Sequence, residues 1–158
     1  MKEKEDFLIR KAKLKDTNLI REIVNSFAGE GKMLPLSVNQ IYEKIRDFSV
    51  IEKNGKLIGC GALKIIWKDL AEIRSIAIKK KYQKKGYGKK LVENLLKEAE
   101  DLDIKKIFVL TYIPNFFSKF GFERIQKSKL PHKIWSDCIN CPKFPRCDEI
   151  AMLKILKK

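Results

Sequence analysis

The pattern of apolar and polar residues predicts that the chain begins with a strand and two helices. Residues 7–13 alternate between apolar and polar side chains, as a half-buried strand does. Asp16 or Thr17 is placed to cap a helix that runs to about Ala28. Ser37 is placed to cap a second helix, which we expect to end near Arg46.

Three strands are predicted to follow as an antiparallel meander. Phe48–Lys53 and Lys56–Trp67 are rich in apolar residues and are separated by Asn54-Gly55, a dipeptide typical of two-residue hairpin turns. A turn at Lys68-Asp69 then leads into the apolar run Leu70–Ile78. The first part of the sheet is therefore expected to be antiparallel.

A long helix and a parallel strand are predicted next. Residues 89–102 have helical periodicity, and Lys106–Thr111 has the composition of a short buried strand. Because a helical crossover connects them, this strand must lie parallel to Leu70–Ile78.

The last part of the chain predicts shorter elements. Pro114 suits the first turn of a short helix that ends near Gly121, residues 122–125 begin another strand, and residues 149–156 alternate weakly as a final strand. The fold class predicted from all these elements is α/β (α+β), with a mixed sheet.

A basic loop, residues 83–88, precedes the long helix and contains Gly86 and Gly88. Backbone N–H groups at a helix start are unpaired and carry the positive end of the helix dipole, so they bind phosphate. Glycine lets the backbone approach such an anion. Nearby lysines add charge; they are Lys79, Lys80, Lys81, Lys84, Lys85, Lys89 and Lys90. The loop is a candidate diphosphate cradle, although an ordinary strand-to-helix turn explains the same residues.

The glycine spacing excludes two familiar phosphate-binding motifs, the dinucleotide fingerprint and the Walker loop. It does match the acetyl-coenzyme A (acetyl-CoA) signature Gln/Arg-x-x-Gly-x-Gly/Ala of the GNAT acetyltransferases. The chain resembles the acetyltransferase domain of amino-acid N-acetyltransferases, in particular the short, stand-alone type of N-acetylglutamate synthase. The matching segments lie between about residues 7 and 125; they are residues 59–63, 67–78, 107–112 and 116–122.

The resemblance implies the GNAT fold, in which a mixed, mostly antiparallel central sheet is flanked by helices and two strands splay at the acetyl-CoA site. Ile76 and Ile78 would line the pantetheine arm of the co-substrate and offer it backbone hydrogen bonds, and they also belong to the core. The residues that the resemblance assigns to acetyl-CoA are Ile76, Ala77, Ile78, Gln83, Lys84, Lys85, Gly86, Tyr87, Gly88, Lys89 and Phe117.

Acetyl transfer to an amine needs a base, because an α-amine is mostly protonated at neutral pH. Glu72 is the leading candidate, since a carboxylate is out of place in an apolar strand unless it is paired or functional. By resemblance, its position is that of the general base. Arg74 lies two residues further on and on the same face. The two residues form a structural ion pair, or Arg74 binds a substrate carboxylate while Glu72 handles the amine; both roles are compatible.

The leaving coenzyme A thiolate benefits from a proton donor. Many GNAT enzymes use a tyrosine at the position that Phe117 occupies here. Tyr112 is the nearest replacement in the sequence, and Thr111 is placed to hydrogen-bond the substrate or the thiol. A Thr-Tyr pair at a strand end is also typical of packing. A backbone N–H near Ile76 is the expected partner of the tetrahedral oxyanion.

By resemblance, the acceptor is a small amino acid, with glutamate first and glutamine or another small amino acid as alternatives. The candidate substrate-binding cations are Arg74, Lys64 and Lys32. Related short enzymes often present a basic residue near the position of Leu36. The leucine here leaves the choice of acceptor open.

A cysteine cluster near the end of the chain is unlike a generic GNAT domain. Cys138, Cys141 and Cys147 follow the only histidine, His132, and a Cys-x2-Cys knuckle is a recognised zinc element. Structural zinc is one hypothesis, free thiols are the simplest alternative, and a disulfide is disfavoured in a reducing cytoplasm. Cys60 lies in an apolar strand and is expected to be a small buried residue.

Composition indicates an ordinary globular protein. The 158 residues are 44% hydrophobic and 35% charged, so we expect one GNAT domain over residues 1–158, with residues 130–148 as a cysteine-containing loop within it. No stretch is apolar enough to span a membrane, and residues 1–6 lack the apolar core of a signal peptide. A cytoplasmic location and a homodimer are expected.

The net charge of +15 favours partners that carry phosphate. Because lysine is interleaved with glutamate and aspartate along the chain, specific nucleic-acid binding is not expected. Three functions stay open. The first is an acetyl-CoA-dependent N-acetyltransferase that acts on glutamate in arginine biosynthesis. The second is a GNAT enzyme that acetylates a protein N-terminus, a lysine or another small amine. The third is a noncatalytic basic module, zinc-bearing or not, that binds nucleic acid.

Overall fold

The computed structural model describes residues 7–28, 36–130 and 149–156, which contain seven strands and four α-helices. The strands are β1 (Phe7–Lys11), β2 (Phe48–Lys53), β3 (Lys56–Trp67), β4 (Leu70–Ile78), β5 (Lys106–Thr111), β6 (Glu123–Arg124) and β7 (Ile150–Ile155). The helices are α1 (Thr17–Ala28), α2 (Val38–Glu43), α3 (Tyr87–Asp101) and α4 (Pro114–Ser118).

The strands form a mixed sheet in the order β1-β2-β3-β4-β5-β7-β6. β4 and β5 are parallel, as their helical crossover predicts, whereas β1–β2, β2–β3, β5–β7 and β6–β7 are antiparallel. The predicted α/β fold class with a mixed, mostly antiparallel sheet is therefore confirmed.

Contacts divide the chain into two compact units. The first comprises the residues up to Leu63 together with Ser75–Glu98, and the second comprises Lys64–Arg74 together with the residues from Ala99 onward. The boundary falls within β3 and within β4, so each of these strands contributes residues to both units. The prediction that residues 1–158 form a single domain stays a prediction.

In the first unit, helices cover both faces of the sheet. Val50 and Ile51 are neighbours on β2, so their side chains point to opposite faces. Val50 belongs to a buried cluster with Ile20 and Val24 of α1, whereas Ile51 belongs to a cluster with Leu91 of α3. This unit therefore has a core on each side of its strands.

The second unit has its own apolar cluster. Leu70 of β4, Phe108 of β5 and Ala151 of β7 are buried together with Leu130. β5 pairs with β7 along its whole length, from Lys106↔Ile155 to Thr111↔Ile150. The last strand of the described residues therefore returns to β5 and packs into the same core.

Local sequence signals explain several element boundaries. Asn54 and Gly55, with φ of 52° and 79°, form the predicted hairpin turn, whose two central residues both need positive φ. The Ser37 hydroxyl accepts a 3.1 Å hydrogen bond from the Gln40 N–H, and the Gln40 side chain accepts one of 2.9 Å from the Ser37 N–H. This reciprocal capping box starts α2 where the sequence predicts it.

Three helices differ from the sequence prediction in their ends. α2 stops at Glu43 because Lys44 leaves helical geometry, and a 3-10 turn takes its place as far as Asp47. α3 begins at Tyr87, before the predicted start at residue 89, and α4 ends at Ser118, short of Gly121. Within the described ranges, no helix combines the length and the apolar character needed to cross a membrane.

Candidate active site

In the first unit, the glycine-containing loop joins β4 to α3. Gln83, Lys84, Lys85 and Gly86 are exposed. Lys84 and Gly86 have left-handed backbone conformations, with φ of 61° and 90°, and a Cβ added at Gly86 would meet nothing within 4 Å. Glycine is therefore favoured at this position by the backbone conformation and not by crowding.

Two side chains tie this loop to the strands beside it. The Gln83 side-chain amide donates a 2.9 Å hydrogen bond to the Ile78 carbonyl. At the other end, the Tyr87 hydroxyl accepts a 2.7 Å hydrogen bond from the Lys53 ammonium group, and the buried Tyr87 ring packs edge to face on two other aromatic rings. The loop thus begins and ends at fixed points, while the residues between them stay exposed.

The surface around the loop is strongly basic. Seven lysines near it are exposed; they are Lys79, Lys80, Lys81, Lys84, Lys85, Lys89 and Lys90. Lys89 lies 4.0 Å from the Glu93 carboxylate, which offsets only part of this charge. An exposed backbone with left-handed turns, a helix start and clustered lysines is suited to a phosphate-bearing ligand.

The other predicted acetyl-CoA residues differ in how accessible they are. Ile76 and Gly88 are half-buried, whereas Ala77, Ile78 and Tyr87 are buried. The ring of Tyr87 is enclosed in the core of the first unit, so only its backbone is left to meet a ligand. The resemblance assigned Tyr87 to acetyl-CoA, and the sequence did not indicate that its ring would be part of the core.

In the second unit, Glu72 and Arg74 share one face of β4, as their spacing predicts. The Glu72 residue is 6% exposed, and its Oε1 lies 3.6 Å from Arg74 Nε. This distance is short enough for an ion pair but longer than that of a good hydrogen bond. Arg74 is itself half-buried. The strand therefore carries a buried carboxylate whose charge is balanced by a guanidinium group.

The ladder between β4 and β5 is short. It runs from Leu70↔Lys106 through Ala71↔Ile107 to Glu72↔Phe108, although both strands continue beyond these residues within the described part of the chain. Glu72 thus occupies the last paired position of the parallel ladder. The end of pairing there agrees with the predicted splay of the two strands.

Ser75 is a feature of β4 that the sequence did not reveal. Its φ of 55° is left-handed, although it is neither glycine nor asparagine. Such a conformation costs about 1–3 kcal/mol in a non-glycine residue and occurs preferentially at functional sites. No sequence pattern marks it, because serine is not a residue that prefers this conformation.

Three residues that were predicted to belong to the active site lie in the second unit, after β4 in the sequence. The Thr111 hydroxyl is buried and accepts a 2.9 Å hydrogen bond from the Ile113 N–H, so it stabilises the turn after β5. Tyr112 is half-buried. Phe117 is buried and packs edge to face on the rings of Phe116 and Phe122. Phe117, which the resemblance assigned to acetyl-CoA, is thus part of an aromatic cluster in this unit.

The predicted substrate cations are only partly described. Lys64 and Arg74 are half-buried residues of the second unit, and Lys32 lies outside the described residues. Leu36 packs against the α1 side of the first core, and its backbone makes two hydrogen bonds, of 2.9 and 3.1 Å, with the Asn25 side chain. Leu36 is therefore fixed as an apolar, partly buried residue.

The predicted zinc ligands His132, Cys138, Cys141 and Cys147 lie outside the described residues. Among the residues that the structure does describe, no group of three or more histidine, cysteine, aspartate or glutamate side chains is placed to hold a metal ion. Structural zinc at the cysteine cluster stays a prediction.

The sequence matches one protein family over most of its length. Residues 19–122 match the acetyltransferase (GNAT) family. The chain belongs to this family. It is an acyltransferase with acetyl-CoA as its co-substrate, and the resemblance drawn from the loop and strand motifs is confirmed.

Relatives that match most of the chain extend the similarity. An uncharacterized N-acetyltransferase of Chlorobaculum tepidum is 44% identical over 151 residues, which cover 96% of this chain and 97% of the relative. An amino-acid acetyltransferase of Mycobacterium tuberculosis is 33% identical over 133 residues, which cover 82% of this chain and 76% of that protein.

Solved structures share the fold. A Mycobacterium tuberculosis protein in complex with CoA aligns with a TM-score of 0.82 at 28% identity, covering 94% of this chain and 99% of that one. The N-acetylglutamate synthase of Neisseria gonorrhoeae, complexed with coenzyme A and N-acetyl-glutamate, aligns with a TM-score of 0.88 at 25% identity. The alignment covers 99% of this chain but 36% of the synthase, so this chain is similar to one part of a longer protein.

Proposed function

We propose that this GNAT enzyme is an amino-acid N-acetyltransferase that transfers acetyl from acetyl-CoA to the α-amine of glutamate, with Glu72 as the general base. The observation that carries the proposal is the buried Glu72 carboxylate, which lies beside Arg74 at the last paired position of the β4–β5 ladder. Relatives named amino-acid acetyltransferase and N-acetylglutamate synthase support it.

The Glu72–Arg74 pair suits the two charges of an amino acid. A free amino acid carries an ammonium group next to a carboxylate, which matches a carboxylate next to a guanidinium group. In the proposed reaction Glu72 removes a proton from the ammonium group, and the amine nitrogen then attacks the thioester carbonyl carbon. The new C–N bond forms and the C–S bond breaks. The coenzyme A thiolate takes up a proton, for which Tyr112 is the nearest candidate donor, and the second proton of the attacking amine restores the Tyr112 hydroxyl.

Acetyl-CoA itself is proposed to bind to the loop of residues 83–88. Its diphosphate would meet the helix start and the exposed lysines, and its pantetheine arm would hydrogen-bond the backbone of Ile76 and Ile78. The exposed, anchored loop with two left-handed residues supports this assignment.

The choice among amino acids depends on the cation that meets the acceptor side chain. Leu36 is apolar and partly buried, so it offers no charge to a side-chain carboxylate. With Arg74 assigned to the α-carboxylate, Lys64 is a predicted cation within the described residues that supplies one. Glutamate is the leading acceptor, with a place in arginine biosynthesis, and glutamine or another small amino acid is the alternative that Leu36 favours.

The test is release of the free coenzyme A thiol from acetyl-CoA in the presence of each of the twenty amino acids and of a lysine-rich peptide. Turnover with glutamate supports the proposal, and turnover with another amino acid replaces the acceptor while keeping the reaction. Activity on the peptide alone would redirect the function to protein acetylation. With no turnover and no CoA binding, the enzyme proposal fails.

The role of Glu72 is tested in the same assay by Glu72→Gln. The expected loss in kcat is about 10²- to 10⁴-fold, the range for general-base catalysis. Glu100→Gln is the matched control, because Glu100 is an exposed residue of α3. Full activity of the Glu72 variant would remove this residue from the role.

A further inference from the structure

The left-handed Ser75 residue requires support from its surroundings. A non-glycine residue keeps a left-handed conformation inside a strand only when neighbouring groups fix it. Ser75 belongs to the first unit, as do the residues of β3 from Lys56 to Leu63, and β3 and β4 are neighbours in the sheet. The support should therefore be found on β3.

Cys60 of β3 provides the polar part of this support. Its Sγ lies 3.7 Å from the Ser75 carbonyl oxygen, within the range of a hydrogen bond donated by a thiol. Cys60 is fully buried, and burial raises the pKa of its thiol to about 12. The thiol therefore keeps its proton at neutral pH and acts as the donor.

The two glycines that flank Cys60 leave space for side chains of β4. A Cβ added at Gly61 would lie 2.4 Å from Ile76 Cδ1, and a Cβ added at Gly59 would lie 2.4 Å from Ile78 Cδ1 and 2.9 Å from the Ala77 carbonyl oxygen. The isoleucine side chains of β4 thus occupy the places that side chains on β3 would otherwise fill. Together, Gly59, Cys60 and Gly61 contact β4 from Ser75 to Ile78.

We propose that Gly59-Cys60-Gly61 is a positioning segment, which holds Ser75 in its left-handed conformation and thereby fixes the direction of the Ile76 backbone N–H. This inference deepens the proposed function, because it rests on Ile76 and Ile78 facing the acetyl thioester and the pantetheine arm of acetyl-CoA. None of the three residues touches the reacting atoms in the proposed reaction. They act through the backbone of β4.

The test compares Cys60→Ala, Cys60→Ser and Gly61→Ala with Val50→Ala as control. Val50 pairs with Cys60 across β2 and β3 and lies in the same buried cluster, so its truncation destabilises this core from β2. For each variant, amide hydrogen exchange at Ile76 and Ala77, CoA affinity and kcat are measured well below its own Tm.

Cys60→Ala should accelerate exchange at Ile76 and lower kcat by about fivefold, the factor that one ordinary hydrogen bond contributes. Cys60→Ser keeps a hydrogen-bond donor, so its kcat should fall much less than that of Cys60→Ala. Gly61→Ala should lower kcat by up to about 10²-fold, because displacing a reacting group by about 1 Å can cost that much. Val50→Ala should lower Tm and leave exchange at Ile76, CoA affinity and kcat unchanged.

Three results would overturn the inference. The first is unchanged exchange at Ile76 in both Cys60→Ala and Gly61→Ala. The second is an equal loss of kcat in Val50→Ala, which would reduce the effect to general destabilisation. The third is faster exchange in the Cys60 and Gly61 variants without any change in CoA affinity or kcat. A wild-type protein that fails to bind CoA would instead overturn the proposed function, while the exchange data would still decide whether the segment holds Ser75.

Discussion

Asp16 should be one of the most stabilising polar residues of the first unit. It is 4% exposed, and its two carboxylate oxygens accept hydrogen bonds of 2.8 and 3.0 Å from Arg10 and one of 2.7 Å from the Lys13 N–H. Arg10 also donates two hydrogen bonds to Glu52, which joins β1, β2 and the turn before α1 in one network. We consider the substitution Asp16→Asn, which keeps the size of the side chain and removes its charge.

The magnitude follows from the geometry. Breaking a buried ion pair costs about 3–5 kcal/mol, and a hydrogen bond to a charged group contributes about 1.5–3 kcal/mol. Two facts place the loss at the low end of these ranges. Glu52 remains to neutralise Arg10, and the Arg10 side chain is 19% exposed. We expect Asp16→Asn to lower the free energy of unfolding by about 2–3 kcal/mol, which lowers Tm by about 4–12 °C.

The same network makes the effect depend on pH. The hydrogen bond from Arg10 is the main reason that the pKa of Asp16 is lowered below its ordinary value of 3.8. A lowered pKa in the folded state means that ionised Asp16 stabilises the fold fully above the unfolded-state pKa. This stabilisation is lost as the pH falls through the folded-state pKa. The difference between wild type and Asp16→Asn should therefore be largest near pH 7 and shrink below about pH 4.

Urea unfolding at pH 7 and pH 3 measures both effects. Asp101→Asn is the control, because Asp101 is exposed at the end of α3. Equal stability of wild type and Asp16→Asn at pH 7 would refute the estimate. A difference of the same size at both pH values would show that the charge of Asp16 does not cause it.

Three further predictions follow from single sites. Gly86→Ala should destabilise by about 1–2 kcal/mol and weaken CoA binding, because φ of 90° is unfavourable for alanine although space is free; thermal unfolding and calorimetry check this. Ser49→Ala should leave stability unchanged or raise it by about 1 kcal/mol, since the buried Ser49 hydroxyl has no hydrogen-bond partner among the described residues; a clear loss in urea unfolding would contradict it. Lys53→Met should cost about 1–3 kcal/mol because the buried Tyr87 hydroxyl loses its donor, and adding Tyr87→Phe should recover part of the loss in a double-mutant cycle.

The predictable parts of the fold are those encoded by neighbouring residues. Asn54-Gly55 predicts its hairpin because few dipeptides adopt two positive φ angles, and Ser37 predicts a helix start because its hydroxyl reaches the Gln40 N–H within one turn. The largely apolar run of Leu70–Ile78 likewise predicts a strand, and most residues of β4 are buried.

The rest depends on residues that are far apart in the sequence. Lys53 and Tyr87 are separated by 34 positions, and Arg10 and Glu52 by 42, so no local pattern indicates either contact. Ser75 is a similar case, because its conformation depends on a neighbouring strand and not on its own residue type. Glu72 could be predicted as the candidate general base because a charged residue stands out in an otherwise apolar run.

The position of β7 has a consequence for synthesis of the protein. β7 follows all other described elements in the chain, yet it pairs with every residue of β5 and also holds β6. A nascent chain that has completed β5 and β6 therefore exposes an unpaired strand edge until residues 150–155 leave the ribosome. During that interval β5 is open to pairing with another chain, so residues 150–155 protect this part of the sheet from aggregation once they are made.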